Sequence, residues 1–346
     1  MQHATYGALP QALKLRLKEA NVFFSQSYAD FIAACGETLY FLFDEERVIP
    51  IRYRQKLCFR WAVFSSEPYC LTGAAEKPLE QYLDEVVAFL RDELNVQWAT
   101  STASGFFSDT PSRGSRIPFG SHVIDLTEGE DTLWGRVHSK HRNVIRKAEK
   151  EGVKVKSGGM ELLDDYLLLD RATWARSQST SSGRAYYARQ LETMGDSIRV
   201  YLAEWNGVPQ AGAIFYVNPA MCYYMYGSSA DRPLTGAANL LQWTAIRDMK
   251  AAGVKKFSFV GCRINEDENS KYHGIQRFKE RFGGTLEQGI CSVRCAVRFI
   301  TGSSAWPSRS APAAGSHTAM PSTRSCPSGS PSKRGETTHA EALYHL

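Results

Sequence analysis

Three stretches of this 346-residue chain combine residue types that could do chemistry. The first is WGRVHSKHRNVIRKAEKEGVKVK, residues 134–156. From 131 to 156 there are eight Lys/Arg against three Asp/Glu, a local charge of +5 that equals the formal charge of the whole protein. Arg142, Arg146 and Lys150 recur every four residues and so share one helix face. Such a stripe could meet phosphates, nucleic acid or an anionic membrane. The plainer reading is a solvated face opposite Trp134, Val137, Val144, Ile145 and Ala148. The second stretch, CYYMYGSSADRPLTGAANLLQWTAIRDMKAAG at 222–253, reads as a strand delivering a small-residue loop into a helix. The helix N-terminus could direct backbone N–H groups and its dipole at an anion, while Tyr223, Tyr224 and Tyr226 could equally be packing residues of the strand. The third is GIQRFKERFGG, residues 274–284. Phe278 and Phe282 lie four apart, so they can anchor a short helix and hold Lys279 in one direction, where an ammonium could stabilise developing oxyanion or phosphate charge. A lone surface lysine is the alternative.

The elements that must position these residues follow from patterning. With 43% apolar residues and 12% aromatics the chain can build a substantial core, which excludes wholesale disorder, collagen and coiled coil. No window approaches the roughly 20 apolar residues of a spanning helix, and the N-terminus lacks a signal-peptide layout. The expectation is therefore a soluble, cytoplasmic protein, with peripheral contact at the inner face of the membrane left open. The eight cysteines are scattered without metal spacing and read as buried free thiols. In the first half a short helix at 28–34 precedes strands at 39–43, 48–53 and 59–64. A helix at 79–94 carries a 3.6-residue apolar stripe, and strands near 96–100 and 122–125 would close this half. The second half opens with a helix at 133–151 stopped by Gly152. A strand at 153–157 and helices at 162–174 and 185–194 follow. Strands at 198–205, 210–217 and 221–227 turn at Asn206-Gly207 and Asn218-Pro219. A helix at 237–252, a strand at 256–261, a helix at 273–281 and a strand at 289–300 complete it. The order predicts mixed α/β architecture rather than a doubly wound parallel sheet. Domains are expected at 1–130 and 131–298. Residues 301–346 hold 10 Ser, 5 Pro and 4 Gly, so 299–346 reads as a disordered tail. Its abrupt start points to a shifted reading frame or other gene-end artefact.

Taken together and in this order, LWGRVHSKHRNVIRKAEKEGVKV, YYMYGSSADRPLTGAANLLQWTAIRDMKAAGVKKFSFVG and GIQRFKERFGG resemble the FemA/FemB/FemX peptidoglycan-bridge aminoacyltransferases and their looser GNAT-like relatives. The resemblance covers roughly residues 20–295 and is specific in the second half. It implies tandem GNAT-like domains, each a mostly antiparallel or mixed sheet flanked by helices. It also implies an amide-forming transferase acting without metal or bound cofactor. Aminoacyl-tRNA would be the co-substrate and an anionic lipid- or nucleotide-linked cell-envelope precursor the acceptor. The family's Phe-Lys pair falls on Phe278 and Lys279, with the lysine assigned to charge stabilisation. Its acceptor-phosphate arginine and nearby tyrosine match Arg184 and Tyr187, and a cleft tyrosine matches Tyr226. Arg142, Arg146 and Gly236 complete the candidate binding set.

Two departures qualify the resemblance. The coiled-coil arm of several tRNA-using members is missing, and the loop Arg232-Pro-Leu-Thr-Gly236-Ala237 is one residue too long for the usual CoA pyrophosphate motif. Two alternatives follow: a GNAT-type N-acyltransferase using acyl-CoA in exopolysaccharide synthesis, and a non-catalytic basic protein docking on RNA or membrane through Arg142, Arg146 and Lys150.

Overall fold

The computed structural model describes residues 1–109, 111–112, 116–264, 271–292 and 295–296. The expected tail lies outside these residues, and Met1–Arg298 form one compact unit.

The first half begins with β1 (Gln2–Thr5), α1 (Gln11–Leu17) and α2 (Gln26–Ala34), the last capped by the Ser25 hydroxyl accepting from Tyr28 N. There follow β2 (Thr38–Phe43), β3 (Arg47–Lys56), β4 (Phe59–Phe64), β5 (Tyr69–Cys70), α3 (Leu79–Asp92) and β6 (Trp98–Ser101). The second half comprises β7 (Arg116–Asp125), α4 (Glu130–Arg136), α5 (Ser139–Lys150), β8 (Lys154–Gly158), α6 (Leu163–Arg176), α7 (Arg184–Met194), β9 (Ile198–Trp205), β10 (Val208–Val217) and β11 (Met221–Ser229). It ends with α8 (Ala237–Ala251), β12 (Lys256–Ser258), β13 (Cys262–Arg263), α9 (Lys271–Glu280), β14 (Thr285–Ser292) and β15 (Cys295–Ala296).

The strands form two mixed sheets. One runs β1-β2-β3-β4-β6-β15 with β5 on β3; the other runs β13-β7-β12-β11-β10-β9-β8 with β14 on β7. The mixed architecture expected from the element order is what the chain adopts. Two expectations are corrected. The strand at 122–125, expected to close the first half, is part of β7 and pairs with β12, β13 and β14 of the second sheet. β15, near the end of the described chain, returns to the first sheet beside β6. The single helix expected at 133–151 is two helices, because Val137 (ψ 127) and His138 (ψ 140) are extended. His138 then caps α5, its Nδ1 accepting from Lys140 N at 3.1 Å.

Three apolar clusters hold the unit together. α3 packs Tyr82, Leu83, Val86 and Leu90 on Leu42, Ile49, Ile51, Ala62 and Phe64 of the first sheet. α4, α5 and α8 cover one face of the second sheet through Leu133, Ile145, Leu241 and Ile246 against Phe215 and Phe257. The largest cluster joins the sheets: Phe24, Phe31 and Ile32 of the first half meet Tyr166, Tyr187, Leu191, Ile214 and Tyr216 of the second.

Gly236 caps α8 at φ +90, and an added Cβ would stand 2.1 Å from the Val144 carbonyl oxygen of α5. Only glycine tolerates both the left-handed conformation and this approach. Gly236→Ala is expected to destabilise the fold by roughly 2–5 kcal/mol, from backbone strain plus overpacking. Gly135→Ala, where a Cβ meets nothing within 4 Å, should be neutral or slightly stabilising in the same denaturant titration.

Candidate active site

Between β12 and β13 the chain makes a bulge. Ser258 pairs with Val123 and Cys262 with Gly120, so four steps on this strand face three on β7. The extra residue is accommodated at Val260 (φ 39) and Gly261 (φ 67). Successive carbonyls of a regular strand point to opposite edges. Here the positive φ angles turn the Val260 and Gly261 carbonyls together, and both accept from Lys279 Nζ, Gly261 at 2.9 Å. Among the described residues these two carbonyls engage two of the three ammonium N–H groups. Burial pushes the Lys279 pKa down to about 8, with Cys262 opposing weakly. The bulge also opens the sheet: β11 pairs with β12 only over Met221–Tyr223, after which its far edge faces the diverging 259–261 segment.

α9 is fixed in this position by aromatic packing and close backbone approach. Phe282 stacks on Phe259 with ring centroids 5.1 Å apart, and Phe278 lies 5.3 Å from Phe282. His141 Nε2 is 3.0 Å from the Phe278 carbonyl, and His138 N donates to the Arg281 carbonyl at 2.8 Å. A Cβ on Gly283 would stand 2.6 Å from Arg136 Cβ, so the paired glycines let the chain return beneath α4. Phe278 is thus an anchor, consistent with the i, i+4 aromatic spacing. Cys262 and His122 adjoin Lys279 and were not singled out in the sequence. The Cys262 Sγ lies 4.0 Å from His122 Nε2. Burial raises the thiol pKa and lowers the imidazole pKa, so both are neutral near pH 7. These residues are brought together only by the pairing of β7 with the bulged strand.

The remaining candidates fall into separate groups. Tyr187 is buried and donates to Asp170 at 3.1 Å, and its ring meets that of Tyr226 at 5.4 Å. The Tyr226 and Tyr186 hydroxyls are 3.3 Å apart. Burial pushes the Tyr226 phenol up to about 12, so it stays a proton donor. Val260, whose carbonyl holds Lys279, sends its side chain into the same apolar cluster, against which Tyr226 packs. Arg184 opens α7 on the surface and pairs with the exposed Asp164. Arg142 turns back onto the end of α4, donating to the carbonyls of Gly135 at 3.0 Å and of Val137. Arg146 lies over the Trp134 ring at 5.4 Å. Arg142 and Arg146 therefore close the break between α4 and α5 and do not form an open stripe with Lys150. Gly236 is accounted for by the α5–α8 contact. Among the described residues no group of three or more His, Cys, Asp and Glu could hold a metal ion.

Two mixed sheets, an opened strand pair and a partly desolvated lysine at the opening frame the candidate site. A model of the FemAB family matches residues 117–207 and 205–301, and the chain belongs to that family. Among curated proteins it is 25% identical over 103 residues to the lipid II:glycine glycyltransferase of Staphylococcus haemolyticus, an alignment covering 30% of this chain and 25% of that protein. Its fold is similar to the crystal structure of FemX (TM-score 0.63, 13% identity, 84% of this chain and 97% of that one). It is also similar to L-PGS from Bacillus licheniformis (TM-score 0.54, 12% identity, 84% and 93%).

The depressed lysine pKa has a consequence for stability. Between about pH 8 and the ordinary lysine value of 10.5 the folded state has released the Lys279 proton and the unfolded state has not. Over that window the wild type should gain up to about 1.4 kcal/mol per pH unit relative to Lys279→Met. Denaturant titrations of both proteins at pH 7, 8, 9 and 10 measure the difference, and parallel curves would refute the shift.

Proposed function

We propose that this protein forms an amide bond by transferring an aminoacyl group onto the peptide amine of a lipid- or nucleotide-linked peptidoglycan precursor. The observation that carries the reading is the Lys279 ammonium, held by two convergent carbonyls at the mouth of the opened β11–β12 pair, on the motif through which the chain resembles peptidoglycan-bridge enzymes. Attack of a neutral amine on an acyl ester places negative charge on the former carbonyl oxygen, and a fixed cation stabilises it. The lysine must be protonated for this role. Its contribution is full below pH 8 and is lost as pH rises through that value. The attacking amine requires the opposite, so a bell-shaped rate profile results. Tyr187 and Tyr226, with Arg184 at the head of α7, are assigned to the acceptor side.

Aminoacyl-tRNA is the preferred donor. The name of the staphylococcal relative specifies a glycyl group and lipid II, and Gly236, at the start of α8 where a GNAT enzyme would bind pyrophosphate, abuts the main chain of α5. No bound cofactor or metal enters the scheme.

The purified protein is expected to transfer a labelled amino acid from charged tRNA to the acceptor, and Lys279→Ala should lower kcat by about 10²–10³ with the fold retained. The falling limb above pH 8 should be present in the wild type. Transfer from acyl-CoA alone, or from neither donor, would overturn the reading.

A further inference from the structure

α2 packs on β2 of the first sheet, and the β3–β4 hairpin turns at Leu57-Cys58. Its register pairs Lys56 with Phe59 and Arg54 with Trp61, and Trp61 pairs in turn with Trp98 of β6. Paired residues share a face, so Phe59, Trp61, Trp98, Arg54 and Lys56 stand together on one side. On the other side of the sheet, Ile51, Ala62 and Ala99 are buried with α3. Phe59 is 46% and Trp98 47% exposed, and at the turn Leu57 is 85% exposed. From 47 to 64 the chain holds five Lys/Arg and no Asp/Glu. Glu37 is held bidentately by Arg52 and lies 3.7 Å from Arg54, whose guanidinium also stacks on Trp61 at 5.2 Å.

Leu57 is informative twice. It is the first residue of a two-residue turn and has φ 54, a conformation that favours glycine or asparagine and is strained for a bulky side chain. An aliphatic side chain is therefore held in solvent at the expense of local backbone preference.

We propose that this hairpin docks on an anionic lipid surface. Leu57 and Phe59 would enter the acyl boundary, with Trp61 and Trp98 at headgroup level and Arg54 and Lys56 on lipid phosphates. An apolar tip followed by an amphipathic aromatic and cationic collar matches the layering of a bilayer interface. Single-stranded RNA could stack on the aromatics and meet the cations. It gains nothing from an exposed leucine at the apex, and this favours the bilayer.

Docking is read without donor or acceptor, so it stands or falls apart from the transfer reaction. In co-sedimentation, the full chain should bind vesicles of phosphatidylcholine mixed with phosphatidylglycerol more tightly than phosphatidylcholine alone, and less tightly as salt rises. Leu57→Asp with Phe59→Asp should weaken binding about tenfold or more. Leu57→Asn relieves the turn, so it should keep or raise Tm while still weakening binding, which separates docking from folding. Lys279→Ala should bind like the wild type. Failure of the wild type to bind mixed vesicles, vesicle binding unchanged in the double variant, or loss in that variant of RNA-oligonucleotide binding alone would each overturn the proposal.

Discussion

Two consecutive main-chain carbonyls converging on one ammonium form the interaction around which the second half of the protein is arranged. A regular strand cannot supply them, because neighbouring carbonyls diverge. One extra residue between β12 and β13, with positive φ at Val260 and Gly261, turns them to the same side. The same irregularity ends the pairing of β11 with β12 after Tyr223, so the feature that binds Lys279 also opens the sheet beside it. The lysine side of the contact depends on α9 staying in place. That requires Phe282 on Phe259, the His141 ring on the Phe278 carbonyl of α9, the His138 N–H on the Arg281 carbonyl just beyond it, and glycines 283 and 284 beneath Arg136 and against Val123. Burial keeps the ammonium near its titration point, the condition under which a cation is both available and reactive to its surroundings.

The first half is tied to the second by Ser27 Oγ donating to Ser197 Oγ at 3.1 Å and by the Asn218 amide donating to the Ala20 carbonyl, and buried polar groups on either side of the junction are satisfied within their own half. Asp170, buried on α6, accepts from Tyr187 at 3.1 Å and Trp174 at 3.0 Å, with the hydroxyls of Ser181 and Ser228 also directed at it. Tyr28 of α2 donates to Ser65, and its ring meets that of Tyr216 in the second half at 6.4 Å. The apolar cluster containing these residues draws on both sheets, which explains why Met1–Arg298 behave as one compact unit.

The +5 segment is a case where composition and structure assign different work to the same residues. Counted along the chain it is a basic stripe. In space Arg142 completes the carbonyl end of α4 and Arg146 covers an indole, while Lys147 pairs with Glu151. Cations near a helix C-terminus are favoured by the exposed carbonyls there, and the break at Val137 and His138 creates such an end in mid-segment.

Periodicity and turn residues alone located most second-half elements, including the three antiparallel strands around Asn206-Gly207 and Asn218-Pro219 and the helix bearing Lys279. These signals are local, carried by side chains within a turn or two of one another. The Phe278–Phe282 spacing likewise showed that Lys279 would be held in one direction. Which strands share a sheet is not legible in the sequence, and the position of β7 in the second sheet is decided by pairing with residues more than a hundred positions away. Nor could the sequence show that Val260 and Gly261 would present their carbonyls together, or that His122 and Cys262 would stand beside the lysine. Backbone direction at a bulge depends on the partner strand's register, and that exists only once β7, β12 and β13 have met.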